Sequence, residues 1–232
     1  MSNEVKSVEK NSSFDFKATI MSCITFIIAV VLKPITALKS KIKEYSDFKS
    51  AGILVLFVAV AEMIIDLLRE MISAIFVKKF DYFSGDTKFS VSFENLKELN
   101  YFDLIVKNVF WIIVVIVAIA GIYYIVSMIM KKNANFFRLA TISAVSFVPV
   151  YAVSLIGTIV AYIYAPLASF LLFASFIYSI FTFVSAVNEE VKFEEADYKI
   201  YFHTICMTII FVAAFYILTN MMSSAIGLNG LF

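Results

Sequence analysis

The sequence predicts an all-α fold: a polytopic transmembrane helix bundle of five spans, preceded by a short N-terminal interfacial helix. Three observations predict it. Of the 232 residues 62% are apolar, and the mean hydropathy is +0.91, far from the mix of a soluble domain. Five apolar stretches exceed the roughly 18 residues that mark a membrane span. Only one of the links between them is long.

Residues 1–17 form a polar N-terminal tail with three lysines against three acids. Next comes "ATIMSCITFIIAVVLKP", apolar for only about 15 residues, which is short for a span. Thr19, Ser22, Thr25 and Ala29 give it a weaker face, so it is read as an interfacial or re-entrant helix. A true span, giving six in all, and a cleaved signal are the alternatives. The signal reading is the weaker, because acids precede the segment and no A-x-A-like site follows. With the basic "KPITALKSKIKEYSDFKS" this helix makes up a segment of residues 18–50.

Residues 51–232 form the transmembrane domain, with spans expected at about 51–77, 104–130, 139–163, 167–187 and 202–223. Residues 78–103 are the one sizeable loop, with a Ser-Gly-Asp turn and an alternating "TKFSVSF" that suits a strand. The short basic "KKNANFFR" joins the second and third spans. Tyr164 to Pro166 is almost no loop, so the third and fourth spans must form a tight hairpin. "NEEVKFEEADYK" is an acidic link to the last span. Trp111, Tyr101 and Phe102 suit an aromatic belt.

Charge sets the expected orientation, through lysine and arginine counted outside the spans. Five spans place 13 basic residues on the side of the N-terminal tail and five on the other. The N-terminus is therefore expected in the cytoplasm, and "SSAIGLNGLF" outside, in a plasma membrane. Six spans would leave 10 against eight, a weaker bias. The net charge of +1, and basic residues that do not interleave with aromatics, exclude nucleic acid as a partner.

The first span holds "AEMIIDLLREMIS", where four charges stand in an apolar helix. At 100° per residue Glu62, Asp66, Arg69 and Glu70 fall within an arc of about 100°. They are one polar seam, and Leu54, Leu56, Val58, Ile64, Ile65 and Leu68 lie away from it. Each central charge costs roughly 2.5–3.5 kcal/mol on insertion, against roughly 0.3–0.6 kcal/mol gained per large apolar residue. Alone in lipid this span is marginal, so it needs protein neighbours. Arg69 has Asp66 and Glu62 within reach on its own helix, and Lys107 of the second span is the outer partner in reach of Glu70. The seam reads as structural, orienting the helix or a homo-oligomer through the first span, or as a proton- or cation-linked site.

Other features concern packing. Pro149 is expected to kink the third span. Gly157 and Ala161, and Ser175 and Ser179, are spaced for close helix contact. Cys23 and Cys206 sit in apolar segments and read as buried free thiols. His203 is the only histidine, which excludes a His-rich metal site, and it reads as an interfacial residue. With no nucleophile–base pair, metal-ligand spacing or phosphate loop, no catalytic residue, metal or cofactor is expected.

A basic "KPITALKSKIKE" before five spans, then "FFRLATISAVSFVPVYAVSLIGTIV" with its aromatic-basic start, small residues and mid-span proline, then the tight "YAPL" hairpin and an acidic link: this order resembles the Yip (Ypt-interacting-protein) membrane domain, in its bacterial branch, over roughly residues 30–225. The resemblance implies five transmembrane helices, a cytoplasmic N-terminus and no enzymatic activity. The GTPase-binding regions of eukaryotic members are not visible in this chain, and the four charges of the first span match no motif of the family. The expected role is a scaffold or accessory subunit of a membrane complex. The alternative is a small transporter or permease subunit that uses Glu62 and Asp66.

Overall fold

A computed structural model describes the backbone of residues 16–80 and 87–226. The expected polar tail as far as residue 15, the Ser-Gly-Asp turn and the final "GLNGLF" of the expected outer end lie outside the described residues. Helices α1 (Phe16–Leu32) and α2 (Pro34–Lys41) lead through a short 3-10 turn (Ile42–Tyr45) into α3 (Phe48–Ile75). Strands β1 (Phe76–Phe80) and β2 (Thr87–Val91) follow, and then α4 (Tyr101–Ile129), α5 (Phe136–Ser146), α6 (Val148–Ile163), α7 (Ala165–Val191) and α8 (Ala196–Ile226). Among the described residues five helical stretches are long and apolar enough to cross a membrane: α3, α4, α5 with α6, α7 and α8. The fold is the expected all-α polytopic bundle.

Caps and prolines set the boundaries. Asp47 accepts hydrogen bonds from the backbone N–H groups of Lys49 (2.9 Å) and Ser50 (3.0 Å), which starts α3 three residues before the expected span. Asn100 and Asn135 cap α4 and α5 in the same way, accepting from the N–H of Asp103 and Arg138. Side-chain oxygens there satisfy donors that the first helical turn leaves unpaired. The chain's three prolines, Pro34, Pro149 and Pro166, all stand in the first turn of a helix, where the missing N–H costs nothing.

At Pro149 the third span is interrupted for a single residue, Phe147, which keeps right-handed helical angles (φ -95, ψ -3) and divides the span into α5 and α6. Proline has no N–H to give the carbonyl four residues earlier, and its ring crowds that carbonyl. The acidic link differs from expectation. Its "NEEV" is helical and carries α7 to Val191, leaving only residues 192–195 between α7 and α8. In the long loop the alternating segment pairs antiparallel with the end of the first span, Phe76 opposite Val91 and Phe80 opposite Thr87. The first span accordingly ends at Ile75, two residues short of the expected end.

Helix α1 is about 25 Å long at 1.5 Å per residue, less than the roughly 30 Å hydrocarbon core. It runs beside α3. Its start shares a cavity with Asp47 and Ser50, and Ile24, Ile27 and Ile28 share a deeper one with Phe57 and Glu62. Cys23, Phe26 and Val30, on one face, are buried. At its end the Val31 carbonyl accepts from the Tyr178 hydroxyl at 3.0 Å, midway along α7. Helix α2 then returns to the end of the bundle where α3 begins, and Tyr45 stacks on Phe26 with ring centroids 5.1 Å apart. Helices α1 and α2 thus form a hairpin that runs partway along the bundle and back.

That same end is tightly knit. Glu190, near the C-terminus of α7, accepts from the Asn135 backbone N–H at 3.1 Å and faces Arg138 at 3.4 Å. Asn135 Nδ2 donates to the Ser46 carbonyl at 3.1 Å. Nearby Tyr123 is fully buried between Phe183 and Phe202, edge-on to both. His203 lies between the Tyr123 hydroxyl (3.3 Å) and Asn188 Oδ1 (3.1 Å), so the histidine ties α4, α7 and α8 together. The other end is looser. Helix α8 buries Phe202 and Cys206 but is exposed on every side from Phe211 to Asn220, as an evenly apolar helix in lipid would be.

Candidate functional site

The charged seam of α3 faces α6. Arg69 Nη1 lies 2.9 Å from Asp66 Oδ1, one turn away on the same helix. Arg69 Nε donates to Thr158 Oγ1 at 3.3 Å, across to α6. The Thr158 hydroxyl in turn donates to the Ser154 carbonyl at 3.0 Å. Glu62 stands two turns of α3 before Arg69, beside Tyr151, with whose hydroxyl its carboxyl interacts. Glu62 and Tyr151 line an otherwise apolar cavity of about 120 Å³ between α1, α3 and α6, together with Ile24, Val58 and Val148. Glu62 Oε2 is buried there without a hydrogen-bond partner among the described residues.

Two of the seam's partners, Tyr151 and Thr158, escaped the sequence reading. Their signal was present. They stand at i and i+7 in "VPVYAVSLIGTIV", on one face of a helix, and that face meets the charged face of α3. The long apolar run around them hid it.

The other expected site residues fall in different places. Glu70 is exposed. Lys107 pairs with Asp103, one turn away on α4, at 2.8 Å, so its carboxylate is local and not Glu70. Gly157 is buried in the tight α6–α7 hairpin, where an added Cβ would lie 3.5 Å from Leu172 Cγ. Ala161 is half-buried on the same helix. Ser175 and Ser179 are buried on α7; the Ser175 hydroxyl donates to the Leu172 carbonyl at 2.8 Å, and Ser179 Oγ has no hydrogen-bond partner among the described residues. Cys23 and Cys206 are buried free thiols. No cluster of metal-ligating side chains occurs among the described residues.

Five long apolar stretches, a proline-broken third span and a tight hairpin into the fourth are now in place. A family model described as the Yip1 domain matches residues 28–218. The chain belongs to the Yip1 domain family. The match covers nearly all of the stretch on which the sequence resembles the Yip membrane domain. Searches of curated proteins and of solved structures return no match. The chain is thus a multi-pass membrane protein of the Yip1 family, and the lipid bilayer is its solvent.

Proposed function

We propose that this Yip1 protein is a non-enzymatic scaffold or accessory subunit of a membrane complex. It sits in a bacterial plasma membrane with its N-terminus in the cytoplasm and "SSAIGLNGLF" outside. The observation that supports this best is the destination of the seam. Arg69 donates to Asp66 on its own helix and to Thr158 on α6, which supports a seam that holds α3 against α6. The cavity at Glu62 is small, about 120 Å³. With Arg69 directed at α6, Leu56, Ile64 and Leu68 of α3 are left exposed, so a homo-oligomer formed through the first span meets on that apolar face. Helix α8, exposed all round from Phe211 to Asn220, offers a second apolar surface to lipid or to another subunit.

Reconstitution tests the reading. Vesicles holding the native chain should pass no more protons or monovalent cations than protein-free vesicles. Glu62→Gln and Asp66→Asn should alter only expression or thermal stability. A flux that the native chain supports and that both variants abolish would overturn the scaffold role in favour of transport. Epitope tags at the two ends should report opposite sides of the membrane.

A further inference from the structure

A second site lies at the α2 end of the bundle. There α2, the 3-10 turn, the start of α5 and the end of α7 enclose a cavity of about 490 Å³, within the range of small-ligand pockets. Its floor is apolar, with Leu38, Ile42 and Ile142 buried. Its rim carries four cations, Lys39, Lys43, Arg138 and Lys192, against two carboxylates, Glu189 and Glu190.

Both carboxylates are already engaged. Glu189 holds Lys39 at 2.7 Å, and Glu190 takes the Asn135 N–H and faces Arg138. Among the described residues no carboxylate pairs with Lys43 or Lys192. Arg138 Nε, a donor, is buried with no acceptor among them. The cavity therefore has a surplus of positive charge and of hydrogen-bond donors.

The backbone adds an independent observation. Lys192 follows α7 with φ 52, in the left-handed region. Glycine occupies such positions without strain, whereas a residue with a Cβ does so at a cost. This backbone turn sets a lysine on the cavity rim.

Two uncompensated ammonium groups suit a phosphate, whose oxygens accept charge-assisted hydrogen bonds. The apolar floor suits the glycerol and first acyl carbons of a lipid. Basic pockets between membrane helices take anionic headgroups in this manner. We propose that this cavity binds a phosphate-bearing headgroup, that of an anionic phospholipid. This goes beyond the scaffold role and does not depend on it.

The test uses the full chain in detergent, with dioctanoyl phosphatidic acid and dioctanoyl phosphatidylcholine as probes and thermophoresis as the readout. Phosphatidic acid should bind saturably, and phosphatidylcholine at least tenfold more weakly. The double variant Lys43→Ala/Lys192→Gly should weaken phosphatidic acid by about tenfold to thirtyfold, as expected for two lysines near a phosphate. Glycine accepts the left-handed backbone, so this variant should melt no lower than the native chain. Lys107→Ala, at the opposite end of the bundle, should change nothing. Glycerol 3-phosphate separates the sources of the phosphate. Failure to compete at millimolar concentration supports the lipid, and competition as strong as the lipid's overturns it in favour of a soluble phosphate ester. Binding that is not saturable, or that survives in the double variant, overturns the site.

Discussion

The chain has 17 lysines but only two arginines, Arg69 and Arg138, and the two are used in opposite ways. Arg69 takes its carboxylate from its own helix, three residues away, and reaches across to α6 only through the neutral Thr158. Arg138 takes its carboxylate from Glu190, 52 residues later, so that ion pair joins α5 to α7. Exposure follows the same division: the Asp66 side chain is 28% exposed and the Glu190 side chain 7%. A local pair makes a costly charge tolerable within one span. A distant pair helps to decide which spans are neighbours. Bundle assembly should thus depend far more on Arg138 than on Arg69.

Removing Glu190 should have the largest effect. Glu190→Ala leaves the Arg138 guanidinium without its counter-charge and the Asn135 N–H without its acceptor. Breaking a buried pair by deleting one partner costs about 3 kcal/mol or more, and the lower figure applies because Arg138 is 27% exposed. Asp66→Ala should cost about 1 kcal/mol or less, since Arg69 is 41% exposed and solvated ion pairs contribute little. Equilibrium unfolding in mixed micelles measures both. Equal losses would erase the distinction between the two arginines.

Glu62 sharpens the comparison, because its carboxyl meets Tyr151 yet leaves one oxygen over. Its Oε2 has no hydrogen-bond partner among the described residues and lines an apolar cavity, and a buried polar atom left unpaired is a net cost. Glu62→Met keeps the volume and removes that cost. Stability in the same micelles should stay within about 1 kcal/mol of the native chain, or rise. A loss above about 2 kcal/mol would mean that the Tyr151 contact holds α3 to α6 more strongly than Arg69 does.

The five spans were legible because apolar length is a one-dimensional property that no neighbour alters. The charged face of α3 was legible for a similar reason, since helical angle follows from residue number. What faces that seam was not legible. Tyr151 and Thr158 are weakly polar and lie inside an apolar run, and only the packing of α3 on α6 shows their use. The interruption at Phe147 stands two residues before Pro149, where the missing N–H and the ring disturb the helix. Glu190 read as part of a solvated acidic link; its burial is imposed by Asn135 and Arg138, more than fifty residues away in sequence.

The smallest predicted effect lies where the chain turns from the α1–α2 hairpin into α3. Asp47 is an exposed carboxylate, and its pKa lies below the ordinary carboxylate range. The Ser50 hydroxyl, at 2.6 Å, is the main cause, and the N–H groups of Ser50 and Lys49 add to it. All three stabilise the charged form. A depressed folded-state pKa gives a stabilisation that is complete above the unfolded value, ordinarily about 3.9, and is lost as pH falls through the folded value. Asparagine caps a helix nearly as well as aspartate but does not titrate. The melting temperature of the native chain relative to Asp47→Asn should therefore hold constant from pH 7 to about 5 and fall below that. The change should be smaller than the Asp66→Ala effect, because the group sits in solvent and its partners are local. A difference that stays flat down to pH 3 would show that the cap works through geometry alone, and that charge matters to this fold only where, as at Glu190, it joins two spans.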